Sequence, residues 1–219
     1  MSYPDTYYKR TMADGRSRPP LAGSEECDTV IVGGGLAGLT TALQLARGGL
    51  KIVLLEAESV GFGASGRNGG FVSPGFSTGG DDIARIAGKE TAVKLFHLSA
   101  EGVDFIRDTI RDLDIESAAA QPGIMSVLRY NDGASLRAYR EQLLRDYGYE
   151  LDYLDTEQVR AVLKSERYFQ ALRNPRAFHI HPLNYLRAIA VEIERLGGKI
   201  YEGSAAVSAD LSGPEKRIG

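Results

Sequence analysis

The chain has 219 residues, 43% hydrophobic and 25% charged, and its 26 Lys and Arg against 29 Asp and Glu give a formal net charge of -3. That is enough for one large or two small domains with ordinary cores, and it offers no general electrostatic attraction to nucleic acid or to an anionic membrane surface. A single cysteine, Cys27, excludes an internal disulfide, and the N-terminus lacks the continuous apolar core of a secretory signal, so the expected compartment is the cytoplasm.

Residues 1–26 are polar and punctuated by Pro4, Gly15, Pro19, Pro20 and Gly23, which predicts an extended leader with Tyr3, Tyr7 and Tyr8 as anchors. Thr29-Val30-Ile31-Val32 then reads as a buried strand that meets Gly33-Gly34-Gly35-Leu36-Ala37-Gly38 and passes into a helix with Leu36, Leu39 and Leu43 on one face. Residues 29–46 are largely apolar. A membrane span is still excluded, because lipid would leave the amides of a strand-to-helix turn unsatisfied. Gly48-Gly49 stops the helix, and Lys51 to Glu56 reads as a second strand ending in an acid.

Strand, glycine turn, helix, strand and acid in this order predict a Rossmann-type dinucleotide site. Gly33 permits the turn, Gly35 lets backbone approach a pyrophosphate, and Gly38 lets helix pack on strand. The helix start faces the phosphates with about half a positive charge. Glu56 follows Gly33 by 23 positions, near the spacing of roughly 20 expected for the carboxylate that accepts ribose hydroxyls.

The segment Val60 to Gly70 holds five glycines in eleven positions, too many for an ordinary helix or strand. A loop lying against a large planar cofactor needs small residues for approach and donors for phosphate and ring oxygens. Ser65, Arg67, Asn68 and the amides of Gly66, Gly69 and Gly70 meet that need. This loop favours a flavin over a nicotinamide.

Phe71 to Gly80 reads as loop, with Asp81-Asp82 as the cap of a helical region. Residues 89–112 form a long amphipathic helix through Val93, Phe96, Ala100, Val103, Ile106 and Ile110. After a turn at Gln121-Pro122-Gly123, residues 124–130 have strand composition, 134–147 a helical stripe, and Asp155-Thr156-Glu157-Gln158 a capping box before a short helix near 157–164. His179 and His181 alternate in what reads as a strand, pointing to one side with Ile180 opposite, and His181 also precedes Pro182, the favoured first position of the next helix, so a positioning role competes with a substrate-facing or flavin-adjacent one. Two such ligands without a nearby third make no metal site. A helix over about 183–196 ends at Gly197-Gly198, and Lys199-Ile200-Tyr201 is the strand that returns parallel beside Leu54.

The glycine turn, Leu55-Glu56, the run Gly61-Phe62-Gly63-Ala64-Ser65-Gly66-Arg67-Asn68-Gly69-Gly70, and Phe178-His179-Ile180-His181-Pro182-Leu183-Asn184 together resemble the FAD-dependent amine and amino-acid oxidoreductases related to D-amino-acid and sarcosine oxidases, in particular the gamma-glutamylputrescine oxidoreductase group. The resemblance covers nearly the whole chain but only about the first half of such an enzyme. It implies an α/β protein: a glutathione-reductase-like FAD-binding domain with a parallel sheet and part of an inserted α+β substrate domain, truncated.

On that reading residues 1–26 are the leader, 27–80 the first part of the FAD-binding domain, 81–182 the partial substrate domain, and 183–219 the return. FAD is the implied cofactor, with Val207 backbone at the adenine, and a small-molecule amine is the implied substrate, oxidised at the C–H next to nitrogen. No catalytic residue is nominated. Truncation would leave an open edge on the first strand and bare apolar faces, surfaces for a partner or for self-association. The competing readings are a nucleotide-binding fragment without turnover and a nicotinamide-dependent dehydrogenase.

Overall fold

The computed structural model describes residues 3–219; Met1 and Ser2, the start of the expected leader, lie outside the described residues. The chain divides into two compact units. One comprises Met1–Gly70, Leu113–Ala119 and His181–Gly219, and the other Phe71–Asp112 and Ala120–Ile180.

In the first unit the described residues of the leader contain one helical turn, α1 (Tyr7–Arg10), and are otherwise without regular structure. Three parallel strands follow, β1 (Thr29–Val32), β2 (Ile52–Leu55) and a later β7 (Lys199–Tyr201), in the order β1-β2-β7. Register places Ile31 opposite Leu54 and Leu54 opposite Ile200. All four residues of the central β2 are buried, as a strand covered on both faces requires. The edge strand β1 leaves Val30 38% and Val32 59% exposed.

Helix α2 (Leu36–Arg47) buries Leu39, Ala42, Leu43 and Ala46, and a later helix α7 (Pro182–Arg195) buries Leu183, Leu186, Ile189, Ala190 and Ile193. These two helices pack on one another and on the sheet, so Leu39 and Leu43 of the expected α2 stripe form one core with the α7 residues, Ile52 and Leu54, while Leu36, expected on the same face, is exposed at the head of the helix. The chain ends in a short hairpin of β8 (Ala209–Asp210) and β9 (Arg217–Ile218).

The second unit is built on β6 (Ala171–His179). β4 (Gln121–Val127) pairs along it, and both β3 (Phe71–Val72) and β5 (Asp152–Leu154) also pair with it, all antiparallel. Helices α3 (Gly80–Ala87), α4 (Lys89–Asp112), α5 (Gly133–Tyr147) and α6 (Thr156–Leu163) accompany the sheet. Leu143, Tyr147, Tyr149, Leu151 and Leu172 make its core, with Val93 and Phe96 against them. The capping box is present: Asp155 accepts from the Gln158 N–H, and the Gln158 side chain accepts from the Asp155 N–H.

Four local expectations are corrected. Phe71-Val72 is a strand, because it has a β6 edge to pair with. Asp81 and Asp82 lie inside the first turn of α3 behind an N-cap at Gly79, where they complement the helix dipole without capping it. Gln121-Pro122-Gly123 belongs to β4, the register shift between Pro122 and Ile124 absorbing the glycine at φ 82°. His179 and His181 do not share a strand: β6 ends at His179, and His181 is the N-cap of α7.

Candidate dinucleotide site

The site begins where β1 turns into α2. Gly33 holds φ at 102°, a conformation closed to most side chains, and its N–H donates to Leu55 O at 2.8 Å. A Cβ on Gly38 would fall 2.0 Å from the Gly33 carbonyl oxygen, so the helix start lies against the turn with no room for a side chain. The N-cap, Gly35, has no side chain to cap the helix. Instead the Leu36 N–H donates to Ser65 Oγ at 3.0 Å, and Leu36 and Ala37 at the head of the helix are exposed. A helix start with its positive end open to solvent and a hydroxyl beside it suits a phosphate.

Glu56 faces this turn. Its Oε2 accepts from the Gly34 N–H at 2.6 Å and its Oε1 from the Glu58 N–H at 2.9 Å. Each carboxylate oxygen keeps a further lone pair, so the half-buried group still has capacity for hydroxyl donors. A Cβ on Gly34 would meet Glu56 at 3.2 Å, which accounts for the second glycine of the turn.

The loop from Gly61 to Gly70 is tied to the same turn. The Gly61 N–H donates to Gly34 O at 2.9 Å, and Ser65 stands against Gly35, 3.1 Å from where a Cβ would lie. Asn68 spends its polar groups on the loop itself: its amide donates to Ala64 O and Ser65 O, and its Oδ1 accepts from the Gly70 N–H at 2.7 Å. It therefore shapes the loop that carries Ser65. Arg67 lies over the Phe62 ring, 5.5 Å from the centroid, and is exposed together with Gly69, while Gly66 and Gly70 are buried.

Val207 is 84% exposed, and its N–H donates to Gly219 O at 2.6 Å. The segment leading to it is anchored at Glu56, whose carbonyl accepts from the Ser204 N–H at 2.8 Å.

Sequence reasoning did not reach the polar residues behind the site. Glu202, 5% exposed, accepts from the Val60 N–H and from the Arg18 N–H, both at 2.9 Å, and the Arg18 guanidinium is paired with Glu194. Nothing periodic marks such residues. Their partners lie far away along the chain. Tyr3 reaches the loop from the leader, its hydroxyl shared between Gly61 O at 3.1 Å and Gly66 O at 3.2 Å; burial raises its pKa, against the lowering influence of Arg67 and Arg187.

His181 is buried and does structural work. Its Nδ1 accepts from the Asn184 N–H at 3.1 Å, and its Nε2 lies 2.9 Å from Thr11 Oγ1. Because Nδ1 accepts, the proton sits on Nε2 and is donated to Thr11. Among the described residues no group of three or more metal-ligating side chains comes together, and no helix is long and apolar enough to cross a membrane.

A parallel βαβ unit with a glycine turn, an acid closing the second strand and an open helix start defines a dinucleotide-binding protein of the Rossmann class. The chain belongs to the FAD dependent oxidoreductase family (DAO), whose model matches residues 28–218. It is 37% identical over 194 residues to gamma-glutamylputrescine oxidoreductase of Escherichia coli, a match covering 89% of this chain and 46% of that protein. It is 33% identical over 215 residues to a probable oxidoreductase, OrdL, of Rhizobium meliloti, covering 95% and 49%.

Among solved structures, L-amino acid deaminase from Proteus myxofaciens superposes with a TM-score of 0.72 at 20% identity, covering 92% of this chain and 43% of that one. Glycine oxidase from Bacillus cereus superposes at 0.68 and 21% identity, covering 85% and 49%. Those likenesses show the fold. The chain spans about half the length of the curated relatives it matches.

Proposed function

We propose that this chain carries the FAD-binding part of an oxidoreductase acting on amines or amino acids, with a gamma-glutamylputrescine-like amine as the substrate class. The observation that carries the reading is the convergence on one turn of Gly34 bonded to Glu56, Leu36 bonded to Ser65, and Gly61 bonded to Gly34. Gly33, Gly34, Gly35, Leu36, Ala37 and Gly38 then bring backbone to the pyrophosphate, and Ser65, Gly66, Arg67, Gly69 and Gly70 form a wall beside it. Glu56 accepts the ribose hydroxyls. Val207 backbone is assigned to the adenine.

When bound, the flavin would supply the two-electron acceptor for the C–H next to the substrate nitrogen, with hydride passing to N5. The residues of this chain bind and orient the cofactor. The substrate class is supported by the identity to the Escherichia coli enzyme. The unit from Phe71 to Asp112 and Ala120 to Ile180 is read as the substrate-facing part. A single cysteine fits a cytoplasmic setting.

The second reading, a nucleotide-binding segment without turnover, is favoured by one observation, the half-length match to the relatives. Titrating the purified chain with FAD and with NAD, read by flavin fluorescence and by calorimetry, tests the binding reading: FAD saturating a single site supports it, and preference for NAD overturns it. Anaerobic bleaching of the flavin band by gamma-glutamylputrescine separates an enzyme from a binding segment.

A further inference from the structure

We infer that Tyr3 is a positioning residue of the cofactor site: it locks the glycine-rich loop into the shape that places Ser65 at the head of α2. The inference rests on the proposed FAD site and goes beyond it, assigning a role in that site to a residue far upstream of the glycine turn.

Three observations carry it. First, the loop folds back on itself so closely that a Cβ on Gly66 would lie 2.1 Å from Gly61 O, and the Tyr3 hydroxyl sits over this crossing, shared between the carbonyls of Gly61 and Gly66. A single donor there holds both strands of the crossing. Both carbonyl-bearing residues are buried, and without the hydroxyl their oxygens would lose that partner in a place poorly supplied with water.

Second, both outlets of the crossing lead to the phosphate-facing turn. Gly61 donates its N–H to Gly34 O, and Ser65, the residue before Gly66, accepts from the Leu36 N–H. A shift of the crossing by a few tenths of an ångström moves both bonds. Third, Tyr3 is itself held. Its ring packs edge-on against Phe62 with centroids 5.8 Å apart, and Arg67 lies on that same Phe62 ring.

Further along, Thr11 bonds His181, the Ala13 N–H donates to Asn184 Oδ1 at 2.9 Å, and Arg18 is buried against Glu194 and Glu202. The leader is therefore docked from Tyr3 to Arg18, and the Tyr3 hydroxyl does not have to be ordered from a free tail at the moment of binding.

Tyr3→Phe removes the hydroxyl and keeps the ring. In the full chain the expected result is a threefold to tenfold rise in Kd for FAD, the loss of one partly buried hydrogen bond, and faster tryptic cleavage after Arg67 in the apoprotein, with cleavage elsewhere in the chain unchanged. Wild-type FAD affinity together with wild-type cleavage at Arg67 overturns the inference. So does a lowered midpoint with uniformly faster cleavage along the chain, which makes Tyr3 a general structural anchor. Failure of the wild-type chain to bind FAD sinks the proposed function instead; the cleavage rate at Arg67 still decides whether Tyr3 holds the loop.

Discussion

The backbone N–H of Gly34 donates to Glu56 Oε2 at 2.6 Å, so the acid at the end of β2 is already oriented by the glycine turn that it faces. Preorganisation of this kind means the carboxylate need not be ordered when FAD arrives. Glu56→Gln keeps the shape but makes one of the two terminal atoms a donor, set against the N–H of either Gly34 or Glu58. FAD binding is expected to weaken by about 1 to 3 kcal/mol, the usual worth of a hydrogen bond to a charged group. Fluorescence titration measures it, and unchanged affinity would remove Glu56 from the site.

Gly35 and Gly38 are expected to separate binding from folding. Gly35 has φ -87°, which any residue adopts, and a side chain there meets only Ser65 at the mouth of the site. Gly35→Val should therefore abolish dinucleotide binding while leaving helix content in far-ultraviolet dichroism intact. The clash is with Ser65 as well as with ligand, an addition to what the glycine spacing alone implies. Gly38→Ala sets a Cβ 2.0 Å from backbone oxygen and should destabilise the apoprotein by about 1 to 3 kcal/mol, as overpacking does. Denaturant unfolding of the two variants without FAD tells them apart.

The parts legible in the sequence are those with short-range causes. The β1-turn-α2-β2 unit, the α4 stripe, the extent of α5 and the Asp155–Gln158 box all depend on residues within a few turns of one another, and the return of β7 beside β2 is parallel as a crossover connection requires. The role of Asn68 was not legible, because an Asn between glycines has the same signature whether it donates to a ligand or to its own loop. That of His181 was legible in part: Pro182, a favoured first helical position, pointed to a positioning role, which the helix cap bears out, whereas the alternation with His179 pointed to a strand that the chain does not form there. The pairing of Arg18 with Glu202 joins positions 184 apart, a separation no pattern reads.

As the cap of α7, His181 has a definite worth. His181→Ala removes the acceptor for the Asn184 N–H and the contact to Thr11, and should lower stability by about 1 to 2 kcal/mol. His181→Asn retains a capping oxygen and should recover most of that. Equal losses in chemical denaturation for the two variants would show that ring packing against Tyr8 outweighs the cap.

Acid is expected to loosen the leader at Glu25. Hydrogen bonds from Lys199 and then Tyr201 hold its pKa below the usual Glu value. A depressed carboxylate contributes stability that is fully present above its unfolded pKa and is lost as pH falls through the folded one. The amide of Leu21, whose N–H donates to Ser204 Oγ, should therefore lose protection from hydrogen exchange on acidification below the ordinary Glu range. In Glu25→Gln that pH dependence should be flattened; an identical profile in the variant would assign it to another group.

Arg18 supplies the strongest test of what holds the first unit together. It is 8% exposed, lies 2.6 Å from Glu194 and 3.7 Å from Glu202, and its own N–H donates to Glu202. Glu202 is 5% exposed and also receives the Val60 N–H, the residue that leads into the glycine loop. Removing one member of a buried ion pair leaves the other charge without compensation, which is worse than removing both. Arg18→Met should thus cost about 3 to 5 kcal/mol, and Arg18→Met combined with Glu202→Gln should cost less than the sum of the two single changes, because the charge pair is lost only once; Glu202→Gln has a cost of its own, since its single oxygen accepts from only one of the Arg18 and Val60 N–H groups and its NH2 is set against the other. A double-mutant cycle by urea unfolding reads the coupling directly. Additive losses would mean that Glu194, on the more exposed side, carries the partnership with Arg18 and that Glu202 serves only to hold backbone.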